Sequence, residues 1–333
     1  MSHSRITGVG HYVPERVVTN RDLERRMETT DAWIRERTGI QERRFFDPDQ
    51  DTVATMGANA ARLALQRAGL QTSDVDFIVF ATLSSDYYFP GSGVLMQREL
   101  ALPGIPALDV RMQCSGFIYA LSVADQFVRS GMYRTVLVVG SEIQSTIMNI
   151  STEGRAMAVI FGDGAGAAVV QATEDAGHRI LSTHLHADGR FAEELMQKEP
   201  GGSRVGRWMT REMVEAGGAD PYMNGPAVFK HAVVRFPEVI YEALDANGYR
   251  SEDLDLLVPH QANLRINEHV RQKMGLPEEK VFNNIQKYGN TTAASIPIAL
   301  SEAWEAGRVQ AGNLICLAAF GSGFTWASAL IRW

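Results

Sequence analysis

Cysteine is scarce in this chain of 333 residues: Cys114 and Cys316 are the only two. Two thiols exclude a disulfide framework and a cysteine-ligated structural zinc, and they suit a reducing, cytoplasmic setting. Long apolar runs are also missing, since none reaches the ~18 residues that a bilayer-spanning helix needs. The opening stretch Met1-Ser-His-Ser-Arg-Ile-Thr-Gly-Val-Gly lacks the basic-then-apolar pattern of a secretory signal, so none is expected. Positive charge is in deficit, with 32 Lys and Arg against 39 Asp and Glu for a net charge of −7. That balance disfavours nucleic-acid binding and leaves room only for a local basic patch facing an acidic partner. At 45% hydrophobic, the chain can bury one large core or two ordinary ones.

The sequence is written twice. Ala64-Leu-Gln-Arg-Ala-Gly-Leu-Gln-Thr-Ser-Asp-Val-Asp-Phe-Ile-Val79 matches Ala243-Leu-Asp-Ala-Asn-Gly-Tyr-Arg-Ser-Glu-Asp-Leu-Asp-Leu-Leu-Val258, with Gly69 on Gly248 and Asp74 on Asp253, an offset of 179. The same offset brings Ala120-Leu121 onto Ala299-Leu300 and Val136-Leu-Val-Val139 onto Ile315-Cys-Leu-Ala318. Each unit reads as helix, strand, helix, strand. A helix over 54–69 should stop at Gly69, a suitable left-handed cap. The continuous apolar run 77–81 suits a strand covered on both faces, and Phe117, Leu121, Ala124 and Val128 carry helical spacing. Two layered α/β halves are expected, 1–172 and 173–333. Residues 196–224, rich in glycine and mixed charge, break the pattern and read as an insertion or lid.

Three residues stand at strand-to-helix junctions. Cys114 lies in Leu108-Asp-Val-Arg-Met-Gln-Cys-Ser-Gly-Phe, His260 follows Leu254-Asp-Leu-Leu-Val258, and Asn290 stands between Gly289 and Thr291. A thiol at a helix start should feel the positive end of the dipole and ionise more readily. A nearby imidazole and carboxamide can stabilise a developing oxyanion or enolate. Gly321-Ser322-Gly323 would let the backbone approach a ligand as a second oxyanion contact. Taken singly, each residue has a plain structural explanation; Cys316, inside an apolar strand, is expected to be an inert small hydrophobe. The repeat pairs Cys114 with Ala293, close to Asn290, and so favours one shared cleft. Phe161-Gly-Asp-Gly-Ala-Gly is expected to be a turn between strands at 158–161 and 167–170, since no helix follows to hold a phosphate. His184, His186 and Asp188 are too few for a metal site, and none is assigned.

The stretches around Cys114, His260-Gln-Ala-Asn-Leu-Arg, Gly289-Asn-Thr-Thr-Ala-Ala-Ser and Phe320-Gly-Ser-Gly-Phe-Thr-Trp strongly resemble β-ketoacyl-acyl-carrier-protein synthase III of the thiolase-like condensing enzymes. Asp31-Ala-Trp-Ile-Arg-Glu-Arg-Thr-Gly-Ile and Leu185-His-Ala-Asp-Gly extend the likeness nearly end to end. The resemblance implies a duplicated five-layer αβαβα fold and a homodimer. It implies an acyl-Cys114 intermediate drawn from acyl-coenzyme A (acyl-CoA), with His260 and Asn290 promoting decarboxylation of malonyl-acyl carrier protein (malonyl-ACP) to start fatty acid biosynthesis. No cofactor is implied, acyl-CoA being a substrate. The implied oxyanion hole uses the N–H groups of Cys114 and Ser322. Trp33, Arg37 and Arg155 would hold coenzyme A, with Asn263 lining the pantetheine tunnel. Phe89 and Gln113 would shape the acyl pocket, Phe89 by crossing the dimer interface. Arg265, Lys230, Arg271 and Lys273 would form the carrier-protein landing site, against a background of Glu268, Glu278 and Glu279.

Three departures matter: Gln113 where alanine is usual, Ser322 in place of glycine, and the long 196–224 stretch. Gln113 also occurs in relatives that take aromatic starters for quinolones, so a specialised quinolone- or polyketide-type pathway with a longer starter is the alternative. A degradative thiolase would need a second active cysteine, which Cys316 does not supply. A papain-like hydrolase would need a Cys-Gly-Ser-Cys-Trp neighbourhood that is absent. A non-catalytic condensing-enzyme subunit would lack the nucleophilic cysteine.

Overall fold

The computed structural model describes residues 3–201 and 206–333. Nine strands build its two large sheets: β1 (His3–Tyr12), β2 (Phe77–Ala81), β3 (Ala107–Val110), β4 (Thr135–Glu142), β5 (Gly164–Thr173), β6 (Arg179–Ala187), β7 (Leu256–Pro259), β8 (Leu314–Gly321) and β9 (Thr325–Arg332). The helices that matter here are α1 (Asp31–Thr38), α2 (Val53–Ala68), α3 (Gly116–Arg129), α4 (Gly225–Ala246), α5 (Leu264–Lys273) and α6 (Ser295–Glu305).

A strand's two-residue period explains the layering. Along β2, Phe77, Val79 and Ala81 face a central core, while Ile78 and Phe80 face an outer one. Along β8, Ile315 and Leu317 turn to the same central core, and Cys316 and Ala318 to the opposite outer one. Helices α3 and α6 fill the centre through Phe117, Leu121, Ile296 and Leu300. Helix α2 covers the first sheet through Met56, Ala60 and Ala64. Helix α4 covers the second through Phe236 and Ile240, with α5 adding Val270. The result is five layers in the order αβαβα.

The first sheet runs β1–β5–β4–β2–β3 and the second β6–β9–β8–β7. Both place a parallel pair, β4–β2 and β8–β7, beside an antiparallel one, β4–β5 and β8–β9. A lone parallel bridge, Leu257 to Val281, stands where β3 stands in the first sheet. Helix α2 starts at a Thr52 capping box and ends at Gly69 in the left-handed region, φ 70°. The strand expected at 158–161 is absent: Arg155–Ala158 is a helical turn, and Phe161 makes only an isolated bridge, to Asn290. That segment serves the site instead of a sheet.

The expected insertion at 196–224 is a hairpin arm, of which 202–205 lie outside the described residues. Leu195–Gln197 pairs antiparallel with Pro221–Met223, and a short helix, Arg211–Glu215, lies between.

Candidate active site

Each half delivers a tight turn to the centre of the molecule. The 3-10 turn Gln113–Ser115 leads into α3, and the turn Thr292–Ala294 leads into α6. Gln113 (φ 43°) and Thr292 (φ 46°) sit at matched repeat positions, both in the left-handed region that residues with a side chain avoid. The strained turns redirect the chain abruptly and pack against each other. Cys114, His260 and Asn290 consequently line one cavity of about 150 Å³, together with Phe161, Asn263 and Gly321.

Cys114 is buried at the mouth of α3. Burial pushes its thiol up to about 12, and the nearby Glu142 carboxylate adds to the rise. The backbone N–H groups of Ser322 and of Cys114 itself oppose that shift. The expected ionisation at the helix start is therefore not met in the resting site. A rise of this size corresponds to about 4 kcal/mol, whereas a helix dipole contributes at most ~2 kcal/mol. Desolvation wins. Gly321 permits this approach, because a Cβ there would lie 2.9 Å from the sulfur of Cys114.

His260 follows β7 on a short irregular stretch, since α5 begins only at Leu264. Burial pushes its imidazole down to about 3, so the ring is neutral. Its Nδ1 lies 2.6 Å from Ser295 Oγ, which also accepts the Gln261 N–H at 3.3 Å. Its Nε2 is buried without a partner, which leaves that nitrogen for a ligand in the cavity. Asn290 is held by its backbone: its N–H donates to Ile160 O at 2.9 Å, and its carbonyl accepts from Gly162 at 3.1 Å. Its Oδ1 accepts the Thr292 N–H at 2.8 Å, which leaves Nδ2 to donate. Gly289 precedes it at φ 63°, where a Cβ would sit 2.6 Å from Ile160 O.

Cys316 is fully buried on the outer face of β8, and burial alone pushes its thiol up to about 12. His184 and His186 both contact Glu242, at 3.3 and 2.6 Å, while Asp188 pairs with Arg190 instead. Among the described residues, no group of three or more His, Cys, Asp or Glu is arranged to hold a metal ion.

Residues 108–189 match the family model for 3-oxoacyl-[acyl-carrier-protein] synthase III, and residues 244–333 match the model for its C-terminal part. The β-ketoacyl-[acyl-carrier-protein] synthase III of Xanthomonas campestris pv. campestris is 48% identical over 331 residues, 99% of this chain and 98% of that protein. The chain belongs to the 3-oxoacyl-[acyl-carrier-protein] synthase III family. The crystal structure of the Aquifex aeolicus VF5 synthase III superposes with a TM-score of 0.91 at 42% identity, covering 99% of this chain and 100% of that one. The priming β-ketosynthase of the R1128 polyketide pathway gives a TM-score of 0.89 at 34% identity, covering 99% and 96%. The thiolase-like fold of the synthase III family is thereby established, and with it a condensing acyltransferase of fatty acid biosynthesis that acts on acyl-carrier-protein substrates.

From the cavity wall, Asn263 donates to the Arg37 carbonyl at 3.0 Å. There the guanidinium carbons of Arg37 and Arg155 lie 4.6 and 4.8 Å from the Trp33 ring centroid. Phe229 borders both the cavity and an outer groove that includes Arg35 and Arg265, and Arg265 lies over its ring at 6.0 Å. Lys230 follows it in sequence and is exposed, as is Lys273 on α5. Arg271 differs from expectation. It is half-buried, paired with Glu268 and donating to the Leu276 carbonyl at 2.7 Å, so its charge is already committed on its own helix.

Phe89 and Gln113 do not line the cavity of the single chain. Phe89 is 80% exposed at the tip of Tyr87-Tyr88-Phe89, and Tyr88 touches Trp208 of the hairpin arm at a centroid distance of 4.3 Å. The base of that arm supplies Leu195 and Met223 to the cavity wall. Ser295 and Glu142 carried no local sequence signal. The repeat does carry one for Glu142: the offset of 179 sets it opposite Gly321, against which Cys114 packs.

Proposed function

We propose that Cys114 accepts an acyl group from acyl-CoA and that His260 and Asn290 then drive decarboxylation of malonyl-ACP. The supporting observation is the cavity itself, where one thiol, one unpartnered imidazole nitrogen and one free carboxamide N–H₂ converge. In the first half-reaction Sγ attacks the thioester carbonyl carbon. The oxyanion is met by the N–H groups of Cys114 and Ser322. The carbon–sulfur bond to coenzyme A breaks, and the thiol proton passes by way of His260 Nε2 to the departing thiolate.

A hydroxyl can donate or accept, so Ser295 supports either tautomer of His260. With Nδ1–H directed at Ser295 Oγ, Nε2 is free to take the Cys114 proton. With Ser295 donating to Nδ1, Nε2–H becomes a donor alongside Asn290 Nδ2. The second state suits the enolate formed as malonyl-ACP loses carbon dioxide. The C2 carbanion attacks the acyl-Cys114 carbonyl, Sγ leaves and regains a proton, and 3-oxoacyl-ACP departs. No cofactor enters this sequence.

Coenzyme A is read as lying between the Trp33, Arg37 and Arg155 cluster and Asn263, with carrier protein docking at Arg265 and Lys230. The exposed Tyr87, Tyr88 and Phe89 tip is read as a homodimer face, as a large apolar patch on a monomer is otherwise unfavourable. A cytoplasmic location fits the two unpaired cysteines. The default starter is acetyl-CoA. Gln113 and the likeness to a polyketide priming enzyme favour a longer or unusual starter as the second reading. A panel of acyl-CoA thioesters, scored by condensation with malonyl-ACP, separates the two. Preference for the two-carbon starter supports the first, and preference for a longer or aromatic one the second.

A further inference from the structure

Among the described residues lining the active-site cavity, two side chains keep a buried polar atom without a hydrogen-bond partner: His260 Nε2 and Asn267 Oδ1. The chemistry above uses the first and leaves the second idle. Asn267 sits on α5 and is 1% exposed. Its Nδ2 donates to Asn283 Oδ1 at 2.8 Å. Asn283 does not line the cavity, so the amide turns its nitrogen away from the cavity and its oxygen toward it. A buried carbonyl oxygen with no donor is costly, and folded chains keep few of them.

The rest of the wall narrows the choice of donor. It is largely apolar, with Ile160, Phe161, Val228, Phe236 and Phe320. Asn263, one helical turn before Asn267, has both ends of its amide engaged. Its Oδ1 accepts the Arg265 N–H at 2.9 Å, and its Nδ2 donates to the Arg37 carbonyl. Asn290 Oδ1 already accepts the Thr292 N–H. Asn267 therefore holds the open amide acceptor of the described lining. Phe89 and Gln113 lie off this cavity, so its occupant beside Cys114 is the arm of a thioester and not the far end of an acyl chain. Acyl-CoA and malonyl-ACP carry the same pantetheine arm, with an amide N–H two methylenes from the sulfur.

We propose that Asn267 Oδ1 accepts a hydrogen bond from that amide N–H and so fixes how deeply either thioester enters. The proposal rests on acyl-CoA and malonyl-ACP as substrates, yet its test reads binding without acyl transfer. The probes are a coenzyme A thioether, which cannot give up an acyl group, and its analogue with an ester in place of the amide nearer the sulfur. The ester removes the donor and keeps the length of the arm. Calorimetric titration of the wild type should give the ester a dissociation constant about three- to tenfold higher, the worth of one neutral hydrogen bond. In Asn267→Leu, which keeps the size of the side chain, the two ligands should bind alike. Asn267→Ala takes its place if the leucine variant does not fold.

Steady-state kinetics add a second signature. The Michaelis constants for acyl-CoA and malonyl-ACP should rise together in the variant, because the arm is common to both. A merely structural Asn267 would weaken both ligands equally and leave their ratio as in wild type. Equal binding of the two ligands by wild type overturns the proposal, as does a folded Asn267 variant that still prefers the amide. An amide preference that depends on Asn267, in an enzyme that takes no acyl group from any thioester, would instead retain this contact and contradict acyl transfer.

Discussion

At the scale of single residues, function rests on close approach. A Cβ at Gly321 would sit 2.5 Å from that of Cys114, so Gly321→Ala should abolish acylation of Cys114. Peptide mass mapping after acyl-CoA treatment checks this, and normal labelling would show that the turn can yield. Asn290→Ala removes one enolate donor, so decarboxylation kcat should drop by about 10²–10³-fold, measured as carbon dioxide release from malonyl-ACP. The sequence singled out Cys114, His260 and Asn290 by their local settings, of which the strand-to-helix junction holds for Cys114 alone: His260 precedes an irregular stretch, and Asn290 follows the helical turn Ile285–Tyr288. The state of the thiol was not legible. A helix start is a local feature, whereas burial under Gly321 comes from a distant segment. Gln113 carried a warning only in comparison with relatives, and its left-handed backbone became visible only beside that of Thr292.

At the scale of elements, the periodic helices and buried strands followed from patterning, including the stop of α2 at Gly69. The segment at 158–161 did not. Its apolar run has the composition of a strand, but it is used to hold the backbone of Asn290 from both sides. The helix α5 shows a similar limit, since its three cations Arg265, Arg271 and Lys273 are not all free to face one way; Arg271 turns back to Glu268 while Arg265 borders the groove. Two variants separate the roles of the outer surface. Trp33→Ala should raise the Michaelis constant for acyl-CoA several-fold and leave iodoacetamide labelling of Cys114 unchanged. Arg265→Glu should raise the constant for malonyl-ACP and not that for acyl-CoA; an unchanged carrier-protein constant would remove docking from α5.

At the scale of the whole molecule, the duplication at an offset of 179 made the two halves legible before any geometry. It also pointed to one cleft shared by the Cys114 and Asn290 turns, and the turns Gln113–Ser115 and Thr292–Ala294 do pack against each other. The buried neutral His260 ties overall stability to pH. Its pKa falls from an ordinary 6.5 to about 3 on folding, so between those values the unfolded chain binds the extra proton. Stability is then full above about 6.5 and falls as pH drops toward 3, by about 1 kcal/mol per unit from this group. His260→Gln should flatten that part of the profile in urea titrations at pH 5 and 7. An identical slope in wild type and variant would contradict the buried neutral ring. The central claim is the acyl-Cys114 intermediate, and intact-protein mass spectrometry of wild type and Cys114→Ala with a panel of acyl-CoA thioesters tests it most directly. The account predicts a gain equal to one acyl group on wild type alone. No adduct with any thioester, or one retained by Cys114→Ala, would contradict it.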